Sequence, residues 1–84
     1  MSSANVVILM GNLTRDPELK EISKGTSVCE FGLAVNHEYT DKKGEKQKDV
    51  SFFDINAWNK TGEACHHYLE KGRGVHVVGR LKQE

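Results

Sequence analysis

The 84 residues predict an all-β barrel with one short helix. Three features lead there: apolar and polar residues alternate with a period of two through several separate runs, a charged loop containing Gly44 joins two of them, and one helix start-and-stop pattern lies between Asn59 and Gly72.

Taken in order, residues 6–11 (Val-Val-Ile-Leu-Met-Gly) are β-branched and aliphatic and read as the first strand. Residues 12–19 follow as turn chemistry centred on Asp16-Pro17. Residues 27–39 set Cys29, Phe31, Leu33 and Val35 against Glu30, Gly32, Ala34 and Asn36, the pattern of a half-buried strand, with Gly32 marking a bend or a close approach. Residues 40–49 hold no apolar side chain and read as a long, mobile hairpin tip. In the strand that follows, Phe53, Ile55 and Ala57 share one face, the core face, and Phe52, Asp54, Asn56 and Trp58 share the other. Asn59 or Thr61 caps a helix running to Lys71, with Glu63 in its first turn, Ala64, Tyr68 and Leu69 as its apolar stripe and Gly72 as its stop. Residues 74–81 return to strand, with Val75, Val77 and Leu81 opposite His76, Val78, Arg80 and Lys82. Strand, strand, strand, helix, strand is the run of a five-stranded Greek-key barrel of the OB type up to its fourth strand. We therefore expect one domain over residues 1–84, truncated before the fifth strand.

Composition excludes several classes. Twelve Lys and Arg balance twelve Asp and Glu, so no global charge attracts a polyanion or a membrane. The balance is uneven, however: over residues 60–82, Lys60, Lys71, Arg73, Arg80 and Lys82 face only Glu63 and Glu70. Two isolated cysteines suit a reduced, cytoplasmic compartment better than a disulfide framework. The apolar run Val6–Met10 is too short for a membrane span, so no membrane partner is expected. Cys65-His66-His67 invites a metal or thiol-nucleophile reading, but adjacent helical side chains diverge by about 100°, whereas ligands on one face need spacings of three or four. No phosphate-loop pattern occurs, and neither cofactor, metal nor catalytic residue is expected. An 84-residue core is small, which favours assembly with further copies, and strand one is suited to pairing with its own copy.

The face bearing Phe52 and Trp58 sets two large rings among polar groups. On spacing alone, the rings are as well placed to stack on planar ligands as to pack under the helix or in a subunit interface. Tyr39 shares parity with Phe31, Leu33 and Val35, which directs it toward the core unless the strand bends or bulges.

The blocks "VILMGNLTRDPELK", "FGLAVN" with Tyr39 close behind, "FFDINAWNK", "YLEKG" and "VVGRL" resemble, in order and spacing, the bacterial-type single-stranded DNA-binding protein (SSB) family. The resemblance implies an OB-fold homotetramer, cytoplasmic and nucleoid-associated, that coats single-stranded DNA in replication, recombination and repair and does no chemistry. It places base-stacking aromatics at Tyr39, Phe52 and Trp58 and phosphate-facing cations at Lys20, Lys60, Lys71 and Lys82, to which the basic segment adds Arg73 and Arg80. Val6 and Glu21 depart from it, standing where the family often has a lysine and an aromatic. The family's further aromatic beyond Lys82 and its acidic, partner-recruiting tail have no counterpart in these residues; replication and repair proteins remain possible partners, but the residues that would recruit them are absent from this sequence. The alternative is a structural subunit of a replication-restart (primosome) assembly built on the same fold, whose aromatic face meets protein.

Overall fold

The computed structural model describes residues 3–83. Five strands and one helix follow in the order β1 (Val7–Leu13), β2 (Glu18–Ser23), β3 (Thr26–Thr40), β4 (Lys46–Trp58), α1 (Asn59–Tyr68) and β5 (Gly74–Gly79). All pairings are antiparallel. β3 is the spine. One of its edges pairs with β4 from Val28 to Thr40, and the other pairs first with β2 and then, past Gly32, with β1 at Leu33 and Ala34. β5 joins the far edge of β1, Val7 opposite Gly79 through Asn12 opposite Gly74. Among the described residues no strand bridges β4 and β5, and a cleft of about 1080 Å³ lies between them.

The core follows the alternation. Cys29, Phe31 and Leu33 are fully enclosed on the inner face of β3 and joined by Leu13, while Val28, of opposite parity, is buried on the other face. Phe53, Ile55 and Ala57 oppose them in register from β4 but are only half-buried, because Phe53 and Ile55 line the open cleft with Val7, Leu9 and Val77.

Three expectations need correction. The turn reading of residues 12–19 missed β2: only Thr14 to Pro17 turn, and Glu18–Ser23 then pairs with β3. Its side chains are nearly all exposed, so the strand is held by backbone pairing rather than by an apolar face of its own. The hairpin tip is short, since the ladder continues to Thr40 opposite Lys46. The Asp41 carboxylate organises what remains, accepting from the backbone amides of Lys43 and Glu45, both at 2.9 Å, and from the Gln47 amide at 3.1 Å. Of these donors the Glu45 amide does most to hold the Asp41 carboxyl below its ordinary range. Finally, α1 ends at Tyr68 rather than Lys71, and no side chain caps its start. Asn59 takes a positive φ of 51°, a conformation asparagine tolerates, and its Oδ1 accepts from the Ser27 amide at 3.0 Å, pinning the helix start to β3. No acidic residue falls in the first turn, so Glu63 lies beyond it.

The helix stripe also differs. Ala64 and Tyr68 are exposed, while Gly62, Cys65 and Leu69 turn toward the core. Gly62 is required by close approach: a Cβ there would run into the carbonyl of Ala57 and stand 3.1 Å from the backbone nitrogen of Cys29. Burial pushes the Cys65 thiol up, and burial with the nearby Cys65 and Glu30 does the same to Cys29. Cys65 faces inward while His66 and His67 are exposed, His67 lying edge-on to Tyr68 at 4.6 Å.

Candidate nucleic-acid interface

The β3–β4 register decides which side chains share a surface. Directly opposed residues project to the same side of a ladder. Ala34–Phe52, Gly32–Asp54, Glu30–Asn56 and Val28–Trp58 therefore form successive rows on the outer face, and Lys20 of β2, opposite Val28, extends the last of them. Phe52 is 72% exposed and Trp58 50%, so neither ring is packed under the helix. Six residues of strand separate them by roughly 20 Å.

Tyr39 lies elsewhere. The pairing runs without a bulge from Val28 to Thr40, so Tyr39 keeps its parity with Leu33 and stands on the opposite face from Phe52 and Trp58. It is nevertheless 44% exposed, because this end of the ribbon runs past the core, and its ring stacks on His37 at 6.0 Å and 21°.

The expected cations are distributed unequally. Lys20 is on the ring face, its ammonium 3.4 Å from Glu30. Lys60 is exposed in the first turn of α1, two residues from Trp58. Lys71 is exposed beside the β1–β2 turn, where its backbone amide donates to Asp16 at 2.8 Å. The Arg73 guanidinium is engaged with the carbonyl of Tyr68 and with Glu70, closing the end of α1 rather than facing the rings. Arg80 and Lys82 line the β4–β5 cleft, as does Trp58.

One cation on this face escaped the sequence reading. Arg15 folds back from the β1–β2 turn, and its Nη1 would stand 2.7 Å from a Cβ at Gly32, while Nη2 lies 3.9 Å from Asp54. The close approach marked by Gly32 was the available signal. Among the described residues no cluster of three or more His, Cys, Asp or Glu side chains is positioned to hold a metal. Nor is any helix there long and apolar enough to cross a membrane.

Comparison with known proteins identifies the family and the fold. The model of the single-strand binding protein family matches residues 4–84. The single-stranded DNA-binding protein of Treponema pallidum is 44% identical over 84 residues, 99% of this chain and 47% of its own length. That of Wolinella succinogenes is 39% identical over 80 residues, 95% of this chain and 49% of its own. The chain thus spans about half the length of these curated relatives. Among solved structures, a Plasmodium falciparum SSB complex with single-stranded DNA superposes with a TM-score of 0.87 at 28% identity, over 95% of this chain and 71% of that one.

Proposed function

The chain belongs to the single-strand binding protein family, and from that premise we propose that it binds single-stranded DNA with little sequence preference, as a binding protein rather than an enzyme. The observation that supports this most is the pair of rings, Phe52 and Trp58, left open to solvent on one face of a twisted sheet with cations beside them. Every base has a π-face, and stacking on an aromatic contributes about 1–3 kcal/mol per base whatever the sequence. Lysine and arginine neutralise phosphates and release counterions, giving a salt slope of about −0.7 per phosphate contacted. A neutral chain is no obstacle, since the charges that matter are those beside the rings.

In this reading Lys20, Lys60, Lys71, Arg80 and Lys82 are the phosphate contacts, and Arg73 mainly secures the helix end. Tyr39 serves a strand that wraps round the edge of the ribbon. The proposal extends to protection of single strands in replication, recombination and repair in the cytoplasm, and to a homotetramer. For assembly the support is an apolar patch: Val6, Ile8, Met10 and Val78 are all exposed, and Ile8 opposes Val78 in register. Among the described residues, the β1 edge away from β5 pairs only at Asn12 and Leu13.

Competition binding against labelled poly(dT) tests the reading. Unlabelled poly(dT), poly(dC) and poly(dA) should compete within about tenfold of one another, and duplex DNA should not. Equal competition by duplex would refute it.

A further inference from the structure

Besides the lysines above, the ring face carries a cation seated in a backbone notch. Gly32 and Asp54 are opposed in register, two residues along the strand from Phe52 and four from Trp58, on the side both rings share. With no side chain at Gly32, Thr14 and the Arg15 guanidinium occupy that space; a Cβ would run into the Thr14 hydroxyl. The turn is fixed from two sides, by the Thr14 amide donating to the Gly32 carbonyl at 2.9 Å and by Asp16 accepting from Lys71. The turn thus carries Arg15 to the space above Gly32, between the rings, with half of its side chain still open to solvent.

Its partner is the other half of the observation. Asp54 is 90% exposed and 3.9 Å from Nη2, a pair too long and too wet to be a strong structural bond. The same arrangement recurs on this face. Lys20 is held by Glu30, and Lys48 lies 3.8 Å from Glu38, its register partner, in a row of the same parity as Phe52. Three exposed ion pairs therefore lie on the face that carries the two rings, each a cation already beside a carboxylate.

We propose that Arg15 is a further DNA-contacting residue, held between the two stacking rings and masked by Asp54, whose carboxylate a backbone phosphate displaces. The inference rests on the single-strand-binding reading. A guanidinium takes phosphate or carboxylate in the same forked geometry, so the exchange needs no rearrangement of the turn. The released carboxylate, left facing DNA, opposes binding. Asp54 accordingly weakens the complex by competing for Arg15, and Glu30 and Glu38 act likewise on Lys20 and Lys48.

The test is titration of the full chain with poly(dT) at several sodium chloride concentrations, following Trp58 fluorescence. Arg15→Gln should lower the magnitude of the log K against log salt slope by about 0.7 and weaken binding about fivefold at 0.1 M salt, with the quench amplitude at saturation unchanged. Arg15→Lys should retain the slope. Asp54→Asn should tighten binding, by up to about fivefold, with a slope at least as steep. An Arg15→Gln protein with wild-type slope and affinity, or an Asp54→Asn protein that binds more weakly, would overturn the proposal. Failure of the underlying reading is distinguishable, because the wild-type protein would then show neither quench nor salt dependence.

Discussion

Phe52 and Phe53 are neighbours in sequence with opposite fates, and exchanging each for alanine separates binding from folding. Phe52 is 72% exposed on the outer face, opposite Ala34, whereas Phe53 is half-buried on the inner face, opposite the fully enclosed Leu33. Phe52→Ala removes a stacking surface worth about 1–3 kcal/mol per base, a loss of roughly 5- to 150-fold in affinity. It removes no cation, so the salt slope should not change. It also deletes little buried area, so stability should shift by less than about 0.5 kcal/mol. Phe53→Ala removes a ring whose full burial would be worth about 3–5 kcal/mol; half-buried, it should cost about 2. Against the total of about 4–12 kcal/mol usual for a chain of this size, the variant still folds. Urea denaturation followed by far-ultraviolet circular dichroism, paired with titration of oligo(dT) at fixed salt, reads both quantities. A Phe52→Ala protein that loses stability and keeps its affinity would refute the assignment of faces on which the site depends.

Other consequences are open to direct measurement. Gly62→Ala should destabilise by up to about 2 kcal/mol in urea denaturation, since overpacking against the Ala57 carbonyl and the Cys29 nitrogen, about 1–3 kcal/mol, is only partly offset by the helix-propensity gain of about 1. The Asp41 carboxyl is held below its ordinary 3.8, chiefly by the Glu45 amide, so its contribution to the hairpin tip is present above that value and disappears as pH falls through the lowered one. Amide exchange at Lys43 and Glu45, measured against a reference amide in β3, should accelerate selectively on acidification, and Asp41→Ala should show the fast exchange at every pH. Ile8→Glu places a charge in the patch formed with Met10 and Val78 and should reduce the mass seen by light scattering without changing the circular dichroism spectrum.

How much was legible in the chain depended on where the information lies. Alternation is local, so the inner rows of β3 and β4, and the separation of Phe52 and Trp58 from Phe53 and Ile55, could be read directly. Strand β2 could not. Glu18–Ser23 contributes only Leu19 to the packing around the core and exists because β3 offers it a free edge. The hairpin tip looked long because residues 40–49 are all polar, yet a ladder needs no apolar residues where both faces meet water, and the Asp41 carboxylate shortened the turn. Tyr39 was read by parity correctly, but its exposure follows from the ribbon outrunning the core, a property of the whole fold. Arg15 belongs to a turn that looked like mere punctuation. Its place between the rings exists only once that turn folds back over Gly32.

The central claim is that Trp58, half exposed on the outer face, meets the bases themselves. Titrating poly(dT) into the protein while recording the emission of this single tryptophan tests it most directly. The account predicts quenching that saturates with added DNA and reverses as salt is raised. Emission unchanged at a DNA concentration where an independent assay shows the complex fully formed would contradict it.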